Sequence, residues 1–128
     1  MPTGHVLTLD LRDDPEVIAA YRQYHAEIWP EVERSLRDAG IRRLEIHLLG
    51  TRLVMIVEVQ DGLDFARVLE AHAASHPRVA EWERLMKTFQ QPAPGARPGE
   101  WWALMEPVYQ LSGHQTRCAA AGDPVRTP

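Results

Sequence analysis

The segment at residues 53–59 limits the possible folds more than any other, because it is apolar at almost every position. Neighbouring side chains of a strand point to opposite faces. Val54 and Ile56 therefore share one face, and the other apolar residues of the segment share the opposite face. A strand that is apolar on both sides must be covered twice. We expect helices of the same chain to cover one face of its sheet and a second sheet to cover the other.

The remaining segments follow one another in an order that indicates a fold. Alternating apolar residues predict two more strands, at residues 5–11 and 41–49. We expect residues 101–111 to close the domain as a fourth strand. Helical spacing predicts helices at residues 15–38 (broken at Pro30), 63–74 and 77–88. This order is that of a ferredoxin-like βαββαβ sandwich, an α+β fold in which helices cover one face of an antiparallel sheet.

The chain has 128 residues, which suits one domain. We assign residues 1–111 to a single ferredoxin-like domain and expect residues 112–128, which are polar and small, to form a flexible tail. The bare apolar face of the sheet needs a partner, and a second copy related by two-fold symmetry is the simplest one. The sequence therefore predicts a homodimer, in which two sheets face each other as a dimeric α/β barrel.

The composition excludes several classes of function. Fourteen Lys and Arg against eighteen Asp and Glu give a formal net charge of −4, so binding to nucleic acid or to an anionic membrane is not expected. No apolar stretch is long enough to span a membrane, and the first residues lack the pattern of a signal peptide. The single cysteine, Cys118, fits a reducing compartment, and we expect a cytoplasmic protein.

Tyr21 and His25 are the first candidates for chemistry, because they lie four residues apart in a predicted helix and share a face with Ile18 and Ile28. That apolar face is expected to point toward the sheet. Histidine exchanges protons near neutral pH, and a phenol can donate a hydrogen bond to a sugar or carbonyl oxygen. The pair could carry acid–base catalysis, although two core residues with satisfied polar ends would show the same spacing.

Four tryptophans could form the flat apolar walls on which sugars stack. Trp29 precedes Pro30, Trp82 lies in the last predicted helix, and Trp101 and Trp102 begin the last predicted strand. Since strand neighbours alternate, we expect only one of Trp101 and Trp102 to face the helices. Core packing is the alternative role for each of these tryptophans.

Other polar residues give weaker signals. Glu45 and His47 share a strand face and could supply two of the ligands of a metal site. No HxH or HExxH motif accompanies them, so we expect no metal. Glu83 and Glu106 are possible acid–base groups, with surface salt bridges as the alternative. The sequence contains no GxSxG, P-loop or GxGxxG motif, which leaves hydrolase triads, phosphate transfer and Rossmann cofactors without support.

Several longer motifs occur together along residues 5–111. The first helix carries Tyr21-x-x-x-His25-x-x-Ile28-Trp29-Pro30-Glu31. The strand pair at residues 45–58, Trp82-x-x-x-Met86 and the closing Met105-Glu106-x-Val108-Tyr109-x-Leu111 follow. This set resembles the L-rhamnose mutarotase family, and the first-helix motif is its most specific part.

The resemblance implies a cofactor-free isomerase that interconverts the α and β anomers of a 6-deoxy-L-sugar, on a ferredoxin-like fold that dimerises through its sheet. It implies that His25 donates a proton, which we assign to the ring oxygen, and that Tyr21 binds the sugar. The family pocket has a tandem Trp-Trp and a strand tyrosine where this chain has Trp82-Glu83 and Leu44. We expect the sugar to contact Tyr21, Leu44, Trp82, Glu83 and Trp102.

The preferred sugar is suggested by residues 89–92 and 98–100 and by Trp102, which look more like the branch assigned to L-fucose. We therefore expect a mutarotase that favours L-fucose over L-rhamnose. The second acid–base group stays open among Glu83, Glu106 and His47. Two other functions fit the same scaffold: a cofactor-free monooxygenase, and a ligand-binding protein without catalysis.

Overall fold

The computed structural model describes residues 3–111, so the expected tail at 112–128 and Cys118 lie outside the described residues. The helices are α1 (Pro15–Ala26), α2 (Pro30–Asp38), α3 (Phe65–Ala74) and α4 (Pro77–Phe89). The strands are β1 (Thr3–Leu11), β2 (Ile41–Leu49), β3 (Arg52–Val59), β4 (Gln90–Gln91) and β5 (Ala103–Leu104). In this range no helix is both long enough and apolar enough to cross a membrane.

The first two helices are separated at the predicted proline. Asp14 caps α1, since its side-chain oxygen accepts a hydrogen bond from the backbone N–H of Glu16 at 2.9 Å. A residue before proline avoids the helical region, and Trp29 is extended, at φ −65° and ψ 132°. Pro30 then begins α2. The break leaves His25 in the last turn of α1.

The strands of the described residues form one antiparallel sheet in the order β2-β3-β1-β4, with β5 also paired to β1. β1 and β3 pair from Thr3 opposite Val59 to Asp10 opposite Arg52. β2 flanks β3 on its other side. This order, with helices on one face, matches the expected ferredoxin-like sandwich.

The last strand is much shorter than predicted. The expected strand at residues 101–111 is reduced to β5 and one further hydrogen bond, from Met105 N to Val6 O at 2.8 Å. Pro107 lacks the N–H that would continue the ladder, and residues 106–111 are exposed. β4 supplies the rest of this sheet edge by pairing with the end of β1.

One face of the sheet packs against the helices and holds the core. Leu53 and Val57 of β3 are almost inaccessible to solvent. Leu53 belongs to a cluster that includes Trp82 of α4, and Val57 belongs to a second cluster that includes Val68 of α3. This side of β3 is therefore covered by helices, as its apolar residues predicted.

The opposite face of the sheet is left uncovered by the described residues. Val54 and Ile56 are only half-buried and belong to neither core cluster. Val6, which pairs with Ile56, is 39% exposed. We call this surface the open face; it comprises Val6, Val54 and Ile56 with the β2 residues Arg43, Glu45 and His47.

Candidate active site

A cavity of about 430 Å³ lies between the helices and the helix-side face of the sheet. Small-molecule sites commonly have volumes of ~300–1,000 Å³. His25 and the five residues expected to contact the sugar all contribute to its wall: Tyr21, Leu44, Trp82, Glu83 and Trp102. The fold therefore brings together side chains from α1, β2, α4 and the segment before β5.

Tyr21 and His25 lie one turn apart on α1, with ring centroids 4.2 Å apart and ring planes inclined by 34°. Tyr21 is buried and His25 is half-buried. His25 Nδ1 lies 2.9 Å from the backbone carbonyl oxygen of Tyr21. A carbonyl oxygen can only accept a hydrogen bond, so Nδ1 carries the hydrogen and Nε2 is left to contact a ligand.

Burial lowers the pKa of His25, and the hydrogen bond with the Tyr21 backbone only partly offsets that effect. The neutral imidazole is therefore favoured near neutral pH. With the hydrogen on Nδ1, the Nε2 atom has a lone pair and can accept a proton. His25 is thus arranged as a base in the resting protein, and it becomes an acid once it has taken up a proton.

The phenol of Tyr21 differs from the imidazole of His25 in how firmly it holds its proton. Burial raises the pKa of Tyr21 to about 12; a side-chain hydrogen bond with Gln90 opposes this shift, and the charge of Glu83 adds to it. The phenol therefore keeps its proton near neutral pH. Tyr21 can donate a hydrogen bond to a sugar oxygen, but it is not a base at this pH.

Trp82 forms an aromatic wall beside His25. It is 4% exposed, and its ring centroid lies 5.3 Å from that of His25 at an angle of 70°. Trp29 packs against Trp82 at 5.1 Å, and the guanidinium of Arg78 lies 3.7 Å above the Trp29 ring. Trp29 therefore supports the wall, whereas Trp82 forms its surface.

Trp101 and Trp102 both line the cavity, so the prediction that only one of them faces the helices was wrong. The alternation of side chains holds within a strand, and both tryptophans lie in a bend that precedes β5. Both rings are half-buried. The cavity therefore has a second aromatic surface in addition to that of Trp82.

Glu83 follows Trp82 on α4 and lines the same cavity as His25. The residue keeps exposed surface, which places it toward the rim. Burial of the carboxyl among protein atoms nevertheless raises the pKa of Glu83, while the charge of Lys87 one turn further along opposes the shift. A carboxyl whose pKa is raised holds its proton closer to neutral pH than an ordinary one.

The two other candidates for a second acid–base group lie elsewhere. His47 is on the open face, where its Nε2 lies 3.1 Å from Glu45 Oε1. Glu106 is exposed beyond β5. Glu83 is therefore the candidate that shares the cavity with His25. Across residues 3–111, no group of three or more His, Cys, Asp or Glu side chains is placed to hold a metal ion.

The cavity extends to a mostly apolar region between α2 and α3. Leu36, Ile41 and Leu69 line this part. His72 also lines it; its Nδ1 lies 2.8 Å from Ser35 Oγ, and burial lowers the pKa of His72. This region therefore offers alkyl surface, which suits an apolar substituent of a ligand.

Gln90 is a cavity residue that the sequence analysis did not single out as a site residue. It is 5% exposed and lines the cavity close to Tyr21. In the sequence it stands between a predicted helix and a loop rich in proline and glycine, where a glutamine follows no periodic pattern. Its burial comes from the pairing of β4 with β1, a contact between distant residues that local periodicity does not reveal.

Comparison with known proteins decides the family. The family model described as L-rhamnose mutarotase matches residues 5–111. The chain belongs to the L-rhamnose mutarotase family. The predicted resemblance is thereby confirmed, and so is the predicted class of enzyme, an isomerase that acts on carbohydrate anomers.

Individual members and structural neighbours of this L-rhamnose mutarotase family protein agree with that result. An L-fucose mutarotase of Xanthomonas campestris pv. campestris is 45% identical over 106 residues, which cover 81% of this chain and 84% of the relative. The crystal structure of an L-rhamnose mutarotase from Formosa agariphila has a TM-score of 0.62 at 19% identity, covering 86% of this chain and 99% of the other.

A dimeric ferredoxin-like protein from an uncultured marine organism is a second structural neighbour of this mutarotase family member. Its TM-score is 0.51 at 14% identity, and the match covers 87% of this chain and 93% of the other. At such identities the two solved structures establish the fold alone. They confirm the predicted ferredoxin-like α+β fold.

Proposed function

We propose that the chain interconverts the α and β anomers of a 6-deoxy-L-hexose and favours L-fucose over L-rhamnose. The observation that carries this proposal is that His25, with its Nδ1 held by the Tyr21 carbonyl, lines one cavity together with Tyr21 and Glu83. Mutarotation needs one proton to leave the anomeric hydroxyl while another reaches the ring oxygen. A base and an acid in one sugar-sized cavity meet that need.

The proposed reaction moves two protons in opposite directions. Neutral His25 accepts the proton of the anomeric hydroxyl at Nε2, and the Glu83 carboxyl donates its proton to the ring oxygen. The bond between C1 and the ring oxygen breaks, and the C1 oxygen becomes a carbonyl. After rotation about C1–C2, His25 returns its proton to the C1 oxygen while Glu83 takes the proton of the attacking hydroxyl. Tyr21 donates a hydrogen bond that holds the sugar.

This scheme gives His25 both roles in turn. The family resemblance implies a proton donor at this position, and our expectation placed the donated proton on the ring oxygen. Burial instead favours a neutral ring at the start, because it lowers the pKa of His25 by more than the Nδ1 hydrogen bond with Tyr21 raises it. In the scheme His25 donates its proton when the ring closes, and Glu83 is the acid when the ring opens.

The lining of the cavity supports the proposed class of sugar. Trp82 and Trp102 offer flat apolar surfaces to a pyranose ring. The region lined by Leu36 and Leu69 suits the methyl group at C6, because a hydroxymethyl group would lose water there and gain few hydrogen bonds. The identity of 45% to an L-fucose mutarotase supports the preference for L-fucose.

We expect the purified protein to accelerate anomer exchange of L-fucose more than that of L-rhamnose. Saturation-transfer NMR, with and without the protein, measures the exchange rate of each sugar at equilibrium. An unchanged rate for both sugars would refute the proposed function. Sugar binding without exchange would favour the ligand-binding alternative, and a faster rate for L-rhamnose would refute the sugar preference.

The open face supports the proposed homodimer. Its centre is formed by Val6, Val54 and Ile56 on neighbouring strands, and contiguous exposed apolar surface of this kind marks an interaction site. Two copies related by two-fold symmetry would bring the same residues together, sheet against sheet. We propose that a second copy of the chain covers the open face.

Ile56→Asp is expected to convert the dimer to a monomer. The substitution places a carboxylate in the apolar centre of the open face, directly opposite Glu45 on β2, and burying that charge is unfavourable. Size-exclusion chromatography with light scattering measures the mass. Ala19→Asp, at an exposed position of α1, is the matched control and should keep the wild-type mass. A wild-type mass of 14.5 kDa at every concentration would contradict the dimer.

A further inference from the structure

Gln90 is a buried polar side chain that the proton transfers described above do not use. It lines the cavity, and its side chain forms a hydrogen bond with that of Tyr21. A side-chain amide offers two N–H donors and two acceptor lone pairs. The bond with Tyr21 occupies one of these four positions, so the amide keeps capacity to bind a ligand in the cavity.

The backbone of Gln90 is held from two sides. As the C-cap of α4, it donates its N–H to the Lys87 carbonyl. In β4 it pairs with Leu11 of β1, and the carbonyl of the preceding Phe89 accepts a hydrogen bond from Arg12 N at 2.9 Å. A backbone held in this way fixes the point from which the side chain enters the cavity wall, which favours precise recognition.

The hydrogen bond between Gln90 and Tyr21 links two side chains of the cavity wall. It lowers the pKa of the Tyr21 phenol, against the larger effect of burial. Gln90 can therefore fix where the Tyr21 oxygen lies in the cavity.

We propose that Gln90 is a positioning and specificity-determining residue, whose buried amide holds the Tyr21 side chain in place and itself binds one ring hydroxyl. This inference rests on the proposed function. A sugar that lacked that hydroxyl would leave the buried amide unpaired, and sites built in this way discriminate strongly against such analogues.

The neighbouring Gln91 provides a matched control within the same strand. Its side-chain amide donates to the Leu11 carbonyl at 3.2 Å, and the residue is exposed. Gln91 is not part of the described cavity wall. The two glutamines therefore share a residue type and a strand but differ in access to the cavity.

Gln90→Leu, which removes the polar atoms and keeps a side chain of similar size, is expected to raise the KM for L-fucose about tenfold with a smaller change in kcat. Gln91→Leu is expected to leave both values within about twofold of wild type. Monodeoxy analogues of L-fucose, each of which lacks one hydroxyl, identify the hydroxyl that Gln90 binds. For the analogue that lacks this hydroxyl, the wild type and Gln90→Leu should have equal kcat/KM. An unchanged KM for L-fucose in Gln90→Leu would overturn the specificity role.

The positioning role has a readout that needs no sugar. Carbon-13 labelling of tyrosine gives an NMR resonance for the Tyr21 Cζ atom, which Tyr21→Phe assigns. This resonance is expected to shift in Gln90→Leu and to stay in place in Gln91→Leu. A resonance that does not move in Gln90→Leu would overturn the positioning role, even in an enzyme that is active.

The two readouts separate failure of this inference from failure of the proposed function. If the wild-type protein accelerates anomer exchange of neither sugar, both the proposed function and the specificity role of Gln90 are refuted. The Tyr21 resonance then still tests the positioning role. Should Gln90→Leu fail to fold, Gln90→Asn replaces it. That variant keeps an amide but withdraws it by one methylene, and it should show the same rise in KM and a shifted Tyr21 resonance.

Discussion

His25→Asn is expected to lower the rate of L-fucose anomer exchange by about 10²–10⁴-fold, the contribution that a positioned acid–base group makes. Asparagine can still donate to the Tyr21 carbonyl that now accepts from His25 Nδ1. It cannot accept and return a proton as the imidazole does. Saturation-transfer NMR measures the loss, and the melting temperature shows whether the fold is kept.

The control for His25→Asn is the same substitution at a histidine outside the cavity. His76 is exposed and caps α4, where its Nδ1 accepts from Arg78 N at 3.0 Å. Asparagine is itself a good N-cap residue, so His76→Asn should keep both the stability and the wild-type exchange rate. Equal exchange rates in His25→Asn and wild type would remove His25 from the mechanism.

The pH dependence of exchange follows from the lowered pKa of His25. The neutral ring is the reactive form in the proposed scheme, so activity is present above the pKa of His25 and is lost as the pH falls through it. Because burial places that pKa below the ordinary value of about 6.5, the acid limb should lie below pH 6.5. An acid limb centred above pH 6.5 would contradict a resting base at His25.

Glu83→Gln is expected to lower exchange of L-fucose by about 10²-fold or more. Glutamine keeps the size and the hydrogen-bonding ends of the side chain, but it cannot transfer a proton to the ring oxygen. In the wild type the protonated carboxyl is the reactive form, so activity should also fall as the pH rises through the raised pKa of Glu83. The pH profile of Glu83→Gln should not show this loss of activity at higher pH.

Glu81→Gln is the matched control for Glu83→Gln. Glu81 lies on the same helix, is exposed, and pairs with Arg78 at 3.0 Å. An exposed pair of this kind contributes little to stability, so the variant should keep both the exchange rate and the shape of the pH profile. If Glu83→Gln behaves like Glu81→Gln, the acid of ring opening is a group other than Glu83.

Local patterns in the sequence predicted the parts of the fold that local physics controls. The four-residue spacing of Tyr21 and His25 placed both rings on one helix face, and proline at residue 30 marked the break between the first two helices. The apolar run at residues 53–59 predicted a sheet with helices on one face and apolar residues on the opposite face. Each of these features depends on neighbours within a few positions, which periodicity records.

The parts that were missed depend on contacts between distant residues. The final strand was predicted too long, because Pro107 cannot continue the ladder. Trp101 and Trp102 both reach the cavity, because a bend and not a strand holds them. Gln90 is buried by the pairing of β4 with β1. Helical or strand spacing contains no information about any of these three features.

The anchor of His25 is a carbonyl oxygen one turn earlier in its own helix. The tautomer of the ring is thus decided by backbone geometry within α1, whatever side chains stand on the facing elements. Mutations on α4 or β2 can then alter which hydroxyls are recognised while the imidazole keeps its tautomer. Such independence would let related enzymes acquire new sugars gradually without moving the hydrogen from Nδ1 of this ring.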